Sequence, residues 1–130
     1  MFCGESYLLS AEETAVRGIR TVHFDPVGRG RSWGHDDFCG SEGQDSFRAV
    51  LEFVQSMRSV RPGSIGVATF SMGLALAAPV LVRNVDHLRV RFLLDWEGPA
   101  DRVAILHGGA LPPAARTALA REPDSFWALR

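Results

Sequence analysis

Residues Ser64 to Gly73, Ser-Ile-Gly-Val-Ala-Thr-Phe-Ser-Met-Gly, constrain the chain more than any other stretch. Ile65 to Phe70 is short, apolar and β-branched, which predicts a buried strand. The small, helix-forming run Leu74 to Val82 follows almost at once. A chain that passes from strand to helix within one or two residues must turn sharply at Ser71. Such a turn strains its apex and needs small residues two positions away, a role that Gly73 fills. A serine between a strand and a helix can also act as a plain N-cap, accepting a hydrogen bond from an early helix N–H. Both readings of Ser71 follow from the sequence.

The flanking segments place this turn in a wider pattern. Ser10 and Glu13 stand at capping-box spacing and open a helix to about Arg17, which Gly18 closes. Ile19 to Phe24 reads as a strand that ends at Asp25-Pro26, and a Gly-rich loop extends from Val27 to about Gly43. Phe47, Val50, Leu51, Val54 and Met57 form one apolar stripe on a helix from Gln44 to Met57. Arg61-Pro62-Gly63 turns the chain into the 65–70 strand. Asn84 to Arg89 is a polar connection, and Val90 to Trp96 is a further strand that ends at Glu97-Gly98-Pro99. Strand, helix, strand, helix, strand predicts parallel βαβ units, with the 65–70 strand central and covered on both faces. After Pro99 the signal is helical but weaker: Asp101 to Leu106, then a run from Pro112 through Ala120. Phe126 and Trp127 are large apolar residues close to the end.

Composition narrows the classes of function. The chain has 130 residues, 46% hydrophobic and 22% charged, which suits one globular domain. Its net charge of −1 comes from interspersed acids and arginines, with no lysine, so nothing points to nucleic acid or to an anionic membrane surface. Cys3 and Cys39 lack the spacing of a disulfide framework or a zinc site, so no metal and no cofactor are expected. No apolar run is long enough for a membrane span and no leader peptide is visible, which makes a cytoplasmic location the expectation. Gly28-Arg29-Gly30 follows a strand, yet no third glycine and no immediate helix are present to receive a pyrophosphate, and Asp25 would oppose its charge.

Thr69-Phe70-Ser71-Met72-Gly73 resembles the G-x-S-x-G nucleophile elbow of the α/β-hydrolase superfamily, departing from it at Thr69. Asp25-Pro26-Val27-Gly28-Arg29-Gly30-Arg31-Ser32 is similar to the D-x-x-G-x-G-x-S loop that follows an early sheet strand in the same family. There it is scaffold, so no catalytic role passes to Asp25, Gly28, Gly30 or Ser32. The resemblance covers about Tyr7 to Arg102 and leans towards dienelactone-hydrolase-like and serine-peptidase-like members. It implies an α/β fold, a three-layer sandwich with a mostly parallel sheet, as a partial α/β-hydrolase domain over 1–130. The core would span about 7–100, with a helical segment at 101–130 that starts a lid.

The resemblance further implies ester or amide hydrolysis of a small-molecule substrate, with Ser71 as nucleophile and the Met72 backbone N–H as one oxyanion donor. The second donor would come from a loop at or before Phe2-Cys3-Gly4. In the family an acid and then a histidine follow the nucleophile. Of the four histidines, His23, His35 and His87 are in the wrong order or at the wrong end of the sheet, leaving Glu97 as candidate acid and His107 as candidate base. Ten residues separate these two, too few for another crossover. The resemblance therefore implies an N- and C-terminally truncated member that lacks its base and acid and is weak or inactive. Trp33, Phe70 and Trp96 are candidates for an acyl pocket or for ordinary core. The alternative reading is a non-catalytic interaction module in which Ser71 caps a helix and the open sheet edge pairs with another chain, so self-association through that edge is expected.

Overall fold

A computed structural model describes residues 11–98. Within them the chain forms α1 (Ala11–Ala15), α2 (Ser41–Ser56), β1 (Ile65–Phe70), α3 (Gly73–Arg83), α4 (Val85–Leu88) and β2 (Val90–Trp96). β1 and β2 pair in parallel, joined through α3 and α4 as a βαβ unit. The mixed α/β class is therefore observed, with a small open sheet of two strands. No helix among the described residues is long and apolar enough to cross a membrane.

The core is one-sided. β1 alternates, with Ile65, Val67 and Thr69 buried and Gly66 and Ala68 exposed. Ile65 and Val67 join Phe47 and Leu51 of α2, Ala75, Leu76, Ala77 and Val80 of α3, and Leu88 of α4 in a single cluster. The apolar stripe of α2 is thus the face turned inward, and α2 packs on α3. Among the described residues β1 is therefore not a central strand, and helices cover one face of the sheet. Among the described residues β1 has one neighbour, and the face carrying Gly66, Ala68 and Phe92 has no helix over it. The ring of Phe92 instead lies over Gly66, occupying the space that a Cβ there would take.

The expected strand at Ile19 to Phe24 is also corrected, because this segment pairs with no strand. Branched residues favour an extended chain, but a strand needs a partner, and Ile19 and Val22 remain 54% and 44% exposed. The segment is held by side chains instead: Arg20 Nη1 donates to Ser59 Oγ at 2.6 Å, and Phe24 stacks on Phe47 with ring centroids 5.9 Å apart. A smaller correction concerns Asn84 to Arg89, which contains the one-turn helix α4 and buries Leu88.

α2 begins three residues earlier than its apolar stripe predicts, at Ser41 rather than Gln44, because a cap from outside the helix extends it. The buried carboxylate of Asp37 accepts the N–H groups of Gly40 at 3.0 Å, Glu42 at 2.7 Å and Gly43 at 3.3 Å. Such a cap contributes about 1 to 2 kcal/mol and lets the helix start without a serine or threonine at the usual position. Ser10, Cys3, His107, Phe126 and Trp127, and every expectation placed on 99–130, lie outside the described residues.

Candidate active site

Ser71 stands at the C-terminal end of β1 with φ of +51°, a left-handed conformation that costs a non-glycine residue about 1 to 2 kcal/mol. α3 starts two residues later, with Met72 at its N-cap and no side-chain cap. The N-cap reading of Ser71 is thereby corrected: among the described residues Ser71 Oγ makes no hydrogen bond, and neither does the Met72 N–H. The turn is closed by the backbone, with Leu74 N–H donating to Ser71 O at 3.2 Å. Gly73 faces Thr69 across it. A Cβ on Gly73 would lie 3.3 Å from Thr69 Cβ, which is the crowding that requires a small residue two positions after the apex.

β2 ends beside this turn. Phe70 and Trp96 are register partners, and Ser71 N–H donates to Trp96 O at 2.9 Å. Glu97 is therefore next in line after Trp96, just past the adjoining strand end. It too has positive φ, +60°, and is exposed. Asp95 is turned to the other strand, accepting Thr69 Oγ1–H at 2.7 Å with Oδ1 and Gly98 N–H at 2.9 Å with Oδ2. The structure thus brings Ser71, Met72 and Glu97 to one end of the sheet, whereas His107 lies outside the described residues.

The remaining histidines are elsewhere. His87 pairs with Glu52 at 3.3 Å, before the start of β2 and hence at the opposite end of the strands from Ser71. His23 and His35 are exposed in the segment that leads to α2. Trp33 is 94% exposed, which removes it from an acyl pocket, while Phe70 and Trp96 lie next to Ser71 at paired strand ends. An apolar groove lined by Ala78, Leu81, Val85, Leu88, Val90 and Leu93 lies towards the other end of β2 and does not adjoin the serine. Among the described residues no group of His, Cys, Asp and Glu could hold a metal ion.

The Gly-rich loop is a scaffold built on its own side chains. Asp25 Oδ2 accepts Arg31 N–H at 3.0 Å, Ser32 Oγ donates to Asp25 O at 2.6 Å, and Arg29 pairs with Asp36 at 2.6 Å while stacking over Phe38. The loop reaches the turn through Cys39, whose buried Sγ donates to Met72 O at 3.6 Å. No sequence signal tied Cys39 to Ser71. Thr69 and Asp95 were more accessible, since Thr69 is the one polar side chain of its strand and Asp95 the one acid of its strand, two positions before Ser71 and Glu97 respectively.

Burial pushes the Cys39 thiol up to about 12, against an ordinary value of 9.0. The folded state therefore holds this proton more tightly than the unfolded state does. The resulting stabilisation is complete below pH 9 and is lost as the pH rises from 9 towards 12. Urea midpoints are expected to fall steeply across that window, by an amount on the order of 4 kcal/mol when complete, and Cys39→Ala is expected to flatten the fall. Equal slopes in the two proteins would show that the thiol is not the group responsible.

Comparison with known proteins found no matching family model, no matching curated protein and no matching solved structure.

Proposed function

We propose that the chain is a serine hydrolase of the α/β-hydrolase type, acting on ester or amide bonds of a small molecule through Ser71. The observation that supports this most strongly is the conformation of Ser71, a strained serine between strand and helix whose hydroxyl has no hydrogen-bond partner among the described residues. Strain of this kind persists where something depends on it, and a cap would have used the hydroxyl. In the reaction Ser71 Oγ attacks the carbonyl carbon and gives its proton to a base, and the carbonyl oxygen becomes an oxyanion. The Met72 N–H donates to that oxyanion, and such a donor is worth about 3 kcal/mol in the transition state. The α3 N-terminus adds partial positive charge, with no acidic residue in its first turn to cancel it. Collapse of the intermediate expels the alcohol or amine with a proton, and water releases the acyl group. Glu97 and His107 are this reading's candidate acid and base, but they stand too close in sequence for the crossover that separates such residues in the family, so this chain is expected to be weak or inactive.

A second reading rests on β2, whose outer edge is unpaired among the described residues and whose Phe92, Leu94 and Trp96 are exposed. A row of free N–H and C=O groups flanked by apolar side chains favours pairing with another chain. A fluorophosphonate probe separates the two. The hydrolase reading expects covalent labelling of the folded chain that maps to Ser71 and disappears in Ser71→Ala, a variant that keeps the fold because the hydroxyl supports none of it. Absence of labelling in folded protein, together with concentration-dependent sedimentation, would favour the interaction module.

A further inference from the structure

We propose that Thr69 and Asp95 form a clamp that holds the Ser71 turn in its strained conformation and fixes Glu97 beside it. Both are positioning residues, and for its catalytic half this inference rests on the hydrolase reading. The Asp95 carboxylate bridges the two strand ends. Its Oδ1 accepts the hydroxyl of Thr69, the penultimate residue of β1, at 2.7 Å, and its Oδ2 accepts Gly98 N–H at 2.9 Å from the turn after β2. Between these bonds lies the third, from Ser71 N–H to Trp96 O at 2.9 Å. The Asp95 carboxylate thus closes two adjoining loops, one ending at the Ser71 N–H and the other containing Glu97, and both residues have positive φ.

Packing supports the same assignment. Gly98 is wedged between Asp95 and α3, and a Cβ on it would lie 2.5 Å from both Asp95 Oδ2 and Leu74 Cβ. Thr69 faces Gly73, where a Cβ would lie 3.3 Å from Thr69 Cβ, so the clamp meets the first turn of α3 directly at Thr69 and through Gly98 at Asp95. Thr69 is buried, and a buried hydroxyl needs a partner. The elbow pattern has glycine at this position, which could reach no carboxylate. A threonine crowds the turn more than glycine does, and here its hydroxyl bonds across to the neighbouring strand. A charge-assisted bond of this kind is shorter and stronger than a neutral one, which suits a device that must hold strain.

The test compares Thr69→Val, which keeps the shape and loses the hydroxyl, with Thr69→Ser, which keeps the hydroxyl, in the full 130-residue chain. Two readouts are taken: the rate of fluorophosphonate labelling at Ser71, and the exchange rate of the Ser71 amide, whose bond to Trp96 O reports the turn itself. Thr69→Val is expected to slow labelling by about 10- to 100-fold, as misplaced catalytic groups do, and to speed Ser71 exchange by about 10-fold. Thr69→Ser is expected to restore both to within about 3-fold of the parent. If Thr69→Val fails to fold, Asp95→Asn, on an exposed strand, replaces it and is expected to move both readouts the same way. Equal exchange at Ser71 in Val, Ser and parent chains overturns the clamp. An unlabelled parent removes the hydrolase reading and the catalytic half of this inference, while the exchange comparison still decides whether the clamp holds the turn.

Discussion

Phe47→Ala is expected to leave the chain largely unfolded. Phe47 is buried on the inward face of α2, stacked on Phe24 and in one cluster with Leu51, Ile65, Val67, Leu76 and Val80. Removing a buried aromatic ring costs about 3 to 5 kcal/mol, the sum of lost transfer free energy and the cavity left behind. A single small domain has about 5 to 15 kcal/mol in total, so a loss of this size is a large share of it. The loss also severs the only ring contact that ties the 19–24 segment to α2 among the described residues. Helical circular dichroism against urea measures it. A midpoint within a few tenths molar of the parent would show that this cluster does not carry the fold.

Gly28→Ala is expected to be nearly as damaging, for a different reason. Gly28 has φ of +71°, and a Cβ there would lie 2.1 Å from the backbone N of Asp36 and 2.4 Å from the carbonyl carbon of His35. The left-handed conformation costs alanine about 1 to 2 kcal/mol, and the clash, being with backbone, cannot be relieved by turning a side chain. Overpacking adds about 1 to 3 kcal/mol. The loop must open between Val27 and Asp36, which pulls Cys39 away from Met72. Alongside a lower unfolding midpoint, Cys39 is therefore expected to react with a disulfide reagent at least about 10-fold faster than in the parent, because opening exposes the thiol. A thiol as slow as in the parent would mean that the loop absorbs the methyl group without moving.

These two residues illustrate what the sequence does and does not reveal. β1 is readable to the residue, since its branched run is bounded by Pro62-Gly63 on one side and Ser71-Met72-Gly73 on the other. α3 and β2 are read almost as well, and Gly28 is visible as part of a glycine-rich loop. Periodicity in α2 identifies Phe47 and Leu51 as core but not the start of the helix, which depends on Asp37 reaching forward to capture free N–H groups. Ile19 to Phe24 has the composition of a strand, yet pairing is a property of neighbours and composition does not record them. The link from Thr69 to Asp95 spans the whole α3 crossover, and the sequence marks it only as a threonine and an aspartate near the ends of two largely apolar strands. Ser71 is legible as an apex. That its hydroxyl is unused, the distinction on which the functional reading turns, required coordinates.

The ladder between the strands carries one irregularity, a register shift between Ile65 and Gly66 that leaves Arg91 as a supernumerary residue of β2. Its effect is one of parity. Val90 pairs with Ile65, and in an unshifted ladder Arg91 would pair with Gly66, Phe92 with Val67 and Leu94 with Thr69. Every side chain from Phe92 onward would then change faces, placing Leu94 against the Thr69 hydroxyl and Asp95 beside Phe70. A single odd residue near the start of the strand thus lets Val90 help close the core at one end and delivers a carboxylate to Thr69 at the other. The chemistry at the end of β2 is set by a count of residues made at its beginning.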